Sequence, residues 1–153
     1  MKPIGDFLWQ LFYSESSSIK VAVRLSQDPF FAEKERHEWA RIASDEARHA
    51  TIVLALARKF KPFPDEVYES PKFPTDQRET IVRLSRNEAL LLRAYNKAIR
   101  PRLNEEEATA FDTIWRDEVR HRAFGRAMLR KYGSPSKQIK VFGPDSLWRN
   151  FPV

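Results

Sequence analysis

A sixteen-residue segment occurs twice in this chain. DEARHATIVLALARKF (residues 45–60) and DEVRHRAFGRAMLRKY (residues 117–132) agree at seven of 16 positions when Glu46 is aligned with Glu118. The prolines obey the same register: Pro29 lies 17 residues before Glu46, and Pro101 lies 17 before Glu118. A period of 72 residues is too long for the common solenoid units. It suits one helical hairpin used twice, and a duplicated helical hairpin makes a four-helix bundle.

The rest of the chain fits that plan. Apolar residues Leu8, Leu11, Phe12, Ile19, Val23 and Leu25 recur at near-helical spacing and predict a first helix over 5–27. Asp28 can cap and Pro29 suits a first helical turn, so a second helix is expected over 30–60, with Trp39, Ile42, Ala43, Ile52, Val53 and Leu56 inward. Four prolines in KPFPDEVYESPKFP (residues 61–74) forbid a continuous helix and mark a crossover over 61–75. Thr75 can cap a third helix over 76–99, with Ile81, Leu84, Leu91, Leu92 and Tyr95 buried. After Pro101, Asn104 and Glu107 form a capping-box pattern, and a fourth helix runs to Tyr132 and stops at Gly133. The expected domain is therefore residues 1–132, with hairpins 5–60 and 76–132. A tail, 133–153, carries Val141, Phe142, Leu147, Trp148 and Phe151; it either docks on the bundle or a partner subunit or is partly disordered.

Composition removes several kinds of chemistry. The sequence has no cysteine, which excludes disulfides, zinc–cysteine sites, iron–sulfur ligation and thiol catalysis within these residues. That usage suits a cytoplasmic setting. Asp6 interrupts the apolar start, so no signal peptide is expected, and no apolar run is long enough to predict a membrane span. The net charge of +6 is spread along the helices, which suits a solvated surface; nucleic acid is not the expected partner.

The repeat also carries a ligand pattern. In Glu46-x-x-His49 and Glu118-x-x-His121 the two side chains stand one turn apart on the same helix face, so both reach one pocket. Carboxylate oxygen with imidazole nitrogen suits iron, manganese or zinc. Each hairpin's other helix should add a carboxylate at the same depth. Glu15 precedes Pro29 by 14 residues and Glu88 precedes Pro101 by 13. Each is then ~20 Å from its turn, against ~26 Å for Glu46 and Glu118. Glu15 is flanked by Leu11 and Ile19, and Glu88 by Leu84, Leu91 and Leu92. A carboxylate on an apolar face needs a compensating partner, which could be a metal or an arginine; Arg48 and Arg120 are the candidates for the latter. His37 falls about a third of a turn away from His49 and reads as surface.

With a Glu on each of two helices and a Glu-x-x-His on each of the other two, the sequence resembles the ferritin-like di-iron carboxylate superfamily over residues 5–132. The doubled Asp-Glu-x-Arg-His string is similar to that of its oxygen-activating branch: bacterial multicomponent monooxygenases and the small subunit of class I ribonucleotide reductase. DEVRHRAFG is also similar to ferritin-like proteins related to tRNA hydroxylases. The resemblance implies an all-α ferritin-like bundle holding two Fe ions, or Mn or a mixed Mn/Fe pair. Glu46 and Glu118 would bridge or chelate, His49 and His121 would each ligate one ion, and Glu15 and Glu88 would be terminal ligands. Asp45 and Asp117 would orient the histidines, or else be surface acids. Tyr13 and Tyr95 lie near the ligand stripe and read as core tyrosines. Rubrerythrins carry a cysteine-rich electron-transfer domain and an extra third-helix glutamate. Here there is no cysteine, and the residue three after Glu88 is Leu91, so a self-contained rubrerythrin peroxidase is not the expected activity. The implied activity is oxidation by O2 or H2O2 with an external electron donor, and a homodimer is the expected assembly. The alternatives are a ferroxidase or iron-binding protein without organic substrate, a tRNA-modifying oxygenase, and a helical interaction protein with a vestigial site.

Overall fold

The structure, a computed structural model, describes residues 3–67 and 74–132, the side chains of 86–90 excepted. It is all-α and of ferritin-like type, with no strand among the described residues. Four long helices follow in order: α1 (Ile4–Gln27), α2 (Glu33–Phe60), α3 (Gln77–Ala94) and α4 (Glu105–Tyr132). The chain divides into two compact units, Met1–Pro71 and Lys72–Val153. No described helix is long and apolar enough to cross a membrane.

In the first unit α1 packs along α2. Phe7, Leu8, Leu11, Val21 and Leu25 from α1 meet Trp39, Ile42, Val53 and Leu56 from α2, all buried. Val23 is 40% exposed, because it lies off the stripe that Leu11, Val21 and Leu25 define. The Asp28–Pro29 turn is also tighter and longer than expected. Asp28 Oδ1 accepts the Phe30 N–H at 2.9 Å and its carbonyl accepts the Phe31 N–H at 3.2 Å. Pro29 therefore sits in a turn rather than in a helix. Phe31 is pinned edge-on to Trp39, ring centroids 5.9 Å apart, and α2 starts only at Glu33. The Glu35 carboxylate accepts the Ala32 N–H at 2.9 Å, satisfying one donor of the first turn.

The open end of this hairpin is closed by Lys61, just past α2. Its ammonium pairs with Asp6 at 2.5 Å and with Asp65, and its carbonyl accepts the Trp9 indole N–H at 2.9 Å. The two backbones come so close here that a Cβ on Gly5 would stand 2.7 Å from Lys61 Cβ.

In the second unit α3 packs along α4. Asp76, not Thr75, caps α3, its carboxylate accepting the Glu79 N–H at 2.8 Å. Thr80 Oγ1 donates to the Pro74 and Asp76 carbonyls, holding the approach to the helix. The third helix does not run unbroken to residue 99: it widens into a π-turn over Tyr95–Ile99 and tightens into a 3₁₀ turn at Arg100–Arg102, where Pro101 ends it. Asn104 and Glu107 form the expected reciprocal capping box, at 2.9 Å in both directions. Ile81, Leu84, Leu91, Leu92, Tyr95, Phe111 and Ile114 are buried. The crossing of segment 68–73, the stop at Gly133 and the tail fall outside the described residues.

Candidate metal centre

The first unit gathers three of the expected ligands. Glu15 on α1 is 3% exposed, Glu46 on α2 is 5% and His49 is 0%. His49 Nδ1 lies 3.8 Å from Glu15 Oε2 and 3.9 Å from Glu46 Oε2, and ligand atoms of all three lie within 4.8 Å of one another. These separations are too long for hydrogen bonds. They suit donors that share an ion: two atoms each ~2.1 Å from one metal stand about 3 to 4 Å apart. The charges point the same way. Two carboxylates buried this close together carry like charge, an arrangement that a shared cation would stabilise.

The second unit repeats the motif geometry. Glu118 and His121 on α4 are 2% and 1% exposed, with His121 Nδ1 3.7 Å from Glu118 Oε1. Both histidines thus turn Nδ1 toward their own helix's carboxylate. Glu88 lies in α3, but its side chain is among those not described, so its expected role stays an expectation.

Asp45 and Asp117 also take equivalent positions, each 3.3 and 3.6 Å respectively from the arginine three residues on, Arg48 and Arg120. Arg120 Nη2 stands in addition 3.4 Å from His121 Nε2, between Asp117 and the ring. His37 is exposed, as expected. Tyr95 is buried, stacked on Phe111 with centroids 4.9 Å apart, and its hydroxyl donates to Asp112. Burial, then the hydrogen bond and charge of Asp112, hold its phenol well above the usual tyrosine range. The Asp112 contact had no sequence signal, because it depends on the π-turn that rotates Tyr95 relative to α3.

Comparison with family models gives a match to rubrerythrin over residues 32–129, more than half of the chain. The chain belongs to the rubrerythrin family. Comparison with curated proteins and with solved structures gave no match. The rubrerythrin match establishes the ferritin-like di-iron carboxylate superfamily that the doubled string implied, and names a family within it other than the monooxygenases and reductases. It spans Glu46, His49, Glu118 and His121; Glu15 lies outside it, and the structure brings it to the cluster. Where the resemblance expects an extra third-helix glutamate, this rubrerythrin-family chain has Leu91, 6% exposed among apolar neighbours.

Proposed function

We propose that this protein is a carboxylate-bridged di-iron oxidoreductase that reacts with O2 or H2O2 and draws its electrons from an external donor. The observation that carries the reading is the convergence of buried Glu15, Glu46 and His49. The repeat supports a second, equivalent ligand set from Glu88, Glu118 and His121, and on this reading the two sets complete one centre for two ions.

The ions would supply the electron transfer to oxygen or peroxide. The protein's residues do the rest. Glutamates give hard anionic donors that can bind through one oxygen or two. The imidazole of His49 keeps a neutral donor beside two anionic ones, limiting the net charge of the buried set. Arg120 and Asp117 limit how far the His121 ring can turn, as groups around a ligating histidine do. Leu11, Leu84 and Leu91, all buried, keep bulk water from the ligand stripe.

Anaerobic loading with ferrous iron followed by exposure to oxygen tests this. The expected result is growth of near-ultraviolet ferric absorption within one or a few turnovers. A protein that takes up iron yet shows no such change is not an oxidase of this type. Continued ferrous oxidation with storage of the product would move it to the ferroxidase class.

A further inference from the structure

The net positive charge of the chain is unevenly divided. Residues 1–71 hold 10 basic and 11 acidic side chains, whereas residues 72–153 hold 17 and 10. Much of that excess falls on the second half of α4. From Val119 to Tyr132 there are five cations, Arg120, Arg122, Arg126, Arg130 and Lys131, and no Asp or Glu.

Helix polarity explains only part of this. Cations near a helix C-terminus are favourable, but the effect fades beyond the last turn. Arg130 and Lys131 have counterparts in α2, Arg58 and Lys59, and that shared pair fits helix polarity. Arg122 and Arg126 do not. Their repeat partners are Ala50, buried, and Leu54, half-buried. The second hairpin has gained two arginines on a face that the first keeps apolar.

Arg122, Arg126 and Arg130 recur every four residues and so form one stripe, spanning ~12 Å of helix. Arg126 and Arg130 are exposed and Arg122 half-buried. None of the three has a side-chain hydrogen bond or ion pair among the described residues. Three guanidinium groups in a row, with no counter-ion among the described residues, repel one another, so the stripe is suited to an anionic partner. Beside it on the outer face lie exposed Val119 and Ala123, a small apolar patch edged by Arg116 and Arg126. An apolar centre with a charged rim is the anatomy of a protein–protein contact. Binding of single-stranded nucleic acid would favour exposed aromatic rings for base stacking, and the described residues of this face include none.

We propose that this face of α4 docks an acidic protein that carries single electrons. The inference rests on the di-iron reading, which needs electrons from outside. Arg122 follows Glu118 by one turn, and the stripe then winds away from the ligands toward Arg130, so a carrier seated on the arginines lies within about one helix diameter, ~10 Å, of Glu118 and His121. In each encounter the reduced carrier loses one electron and one ferric ion becomes ferrous; two encounters complete a two-electron cycle. Arginine suits the task, because its planar fork pairs with carboxylates through two hydrogen bonds.

The test compares wild type with the triple variant Arg122→Gln/Arg126→Gln/Arg130→Gln, whose helix content is verified by circular dichroism. Binding to two acidic carriers, a plant-type [2Fe–2S] ferredoxin and a flavodoxin, is measured by titration calorimetry on metal-free protein at low and high salt. The expected result is salt-sensitive binding of at least one carrier by wild type, weakened about tenfold or more in the variant, with iron uptake unchanged. Binding of neither carrier, or equal binding by wild type and variant, overturns the proposal. So does a stripe that binds a 20-nucleotide oligouridylate but neither carrier. Reduction of the iron-loaded protein by a small uncharged reductant reports separately on the di-iron reading, since it needs no docking.

Discussion

His49 Nδ1 stands 3.8 Å from Glu15 Oε2, although the two residues lie on different helices and only His49 belongs to a motif. The pairing makes Glu15 a ligand candidate by geometry. Its replacement should therefore have opposite effects on the two forms of the protein. In Glu15→Gln the metal-free protein loses a buried negative charge and should melt at a higher temperature. Its affinity for ferrous or manganous ion should fall by on the order of 10- to 100-fold, the loss typical of even the groups that orient ligands. Calorimetric melting with and without metal measures both. A variant that melts lower without metal and binds it as wild type does would make Glu15 a structural residue.

Gly5 faces the Lys61 backbone across the open end of the first hairpin. An alanine there puts its Cβ against Lys61 Cβ, close to the main chain, where no flexible end can yield. Overpacking of this kind costs about 1–3 kcal/mol, more than the ~0.5–1 kcal/mol that alanine gains over glycine in a helix. Gly5→Ala should lower the melting temperature by several degrees, as a thermal melt would show.

Tyr95 gives a pH signature. Its folded pKa is raised above 10, chiefly by burial. The folded state therefore holds the phenol proton more tightly than the unfolded chain does. The resulting stabilisation is complete below about pH 10, the unfolded value, and is lost as pH rises toward the folded one. Denaturant midpoints should fall above pH 10 in wild type, with a shallower fall in Tyr95→Phe. In an ultraviolet titration one of the four tyrosines should ionise late.

Asn104 accepts the Glu107 N–H at the start of α4, the helix that bears Glu118 and His121. Asn104→Ala should cost about 1 kcal/mol, or ~2–4 °C in melting temperature for a chain of this size. Iron uptake should persist, because the cap lies about four turns from the ligands.

Much of this was legible in the sequence, for reasons that differ by residue. The two hairpins followed from the repeat and the prolines, and the Asn104–Glu107 box from local chemistry that no tertiary contact overrides. Glu15 carries no motif, yet its depth from Pro29 placed it beside Glu46 and His49, because helices convert residue counts into lengths. Other features depend on packing. The α2 start at Glu33 follows from Phe31 docking on Trp39. Asp76 outcompeted Thr75 for a cap that either could make. The π-turn after Ala94 goes with the packing of Tyr95 against Phe111 and Asp112, which no spacing in α3 records.

The central claim concerns two ions held by two equivalent ligand sets, and metal content tests it most directly. Iron should be counted per chain after anaerobic loading and desalting, in wild type and in the double variants Glu46→Ala/His49→Ala and Glu118→Ala/His121→Ala. The account predicts two irons per wild-type chain and a loss of at least one in each variant, with helix content retained. A wild-type chain that keeps no iron, or variants that keep as much as wild type, would contradict it.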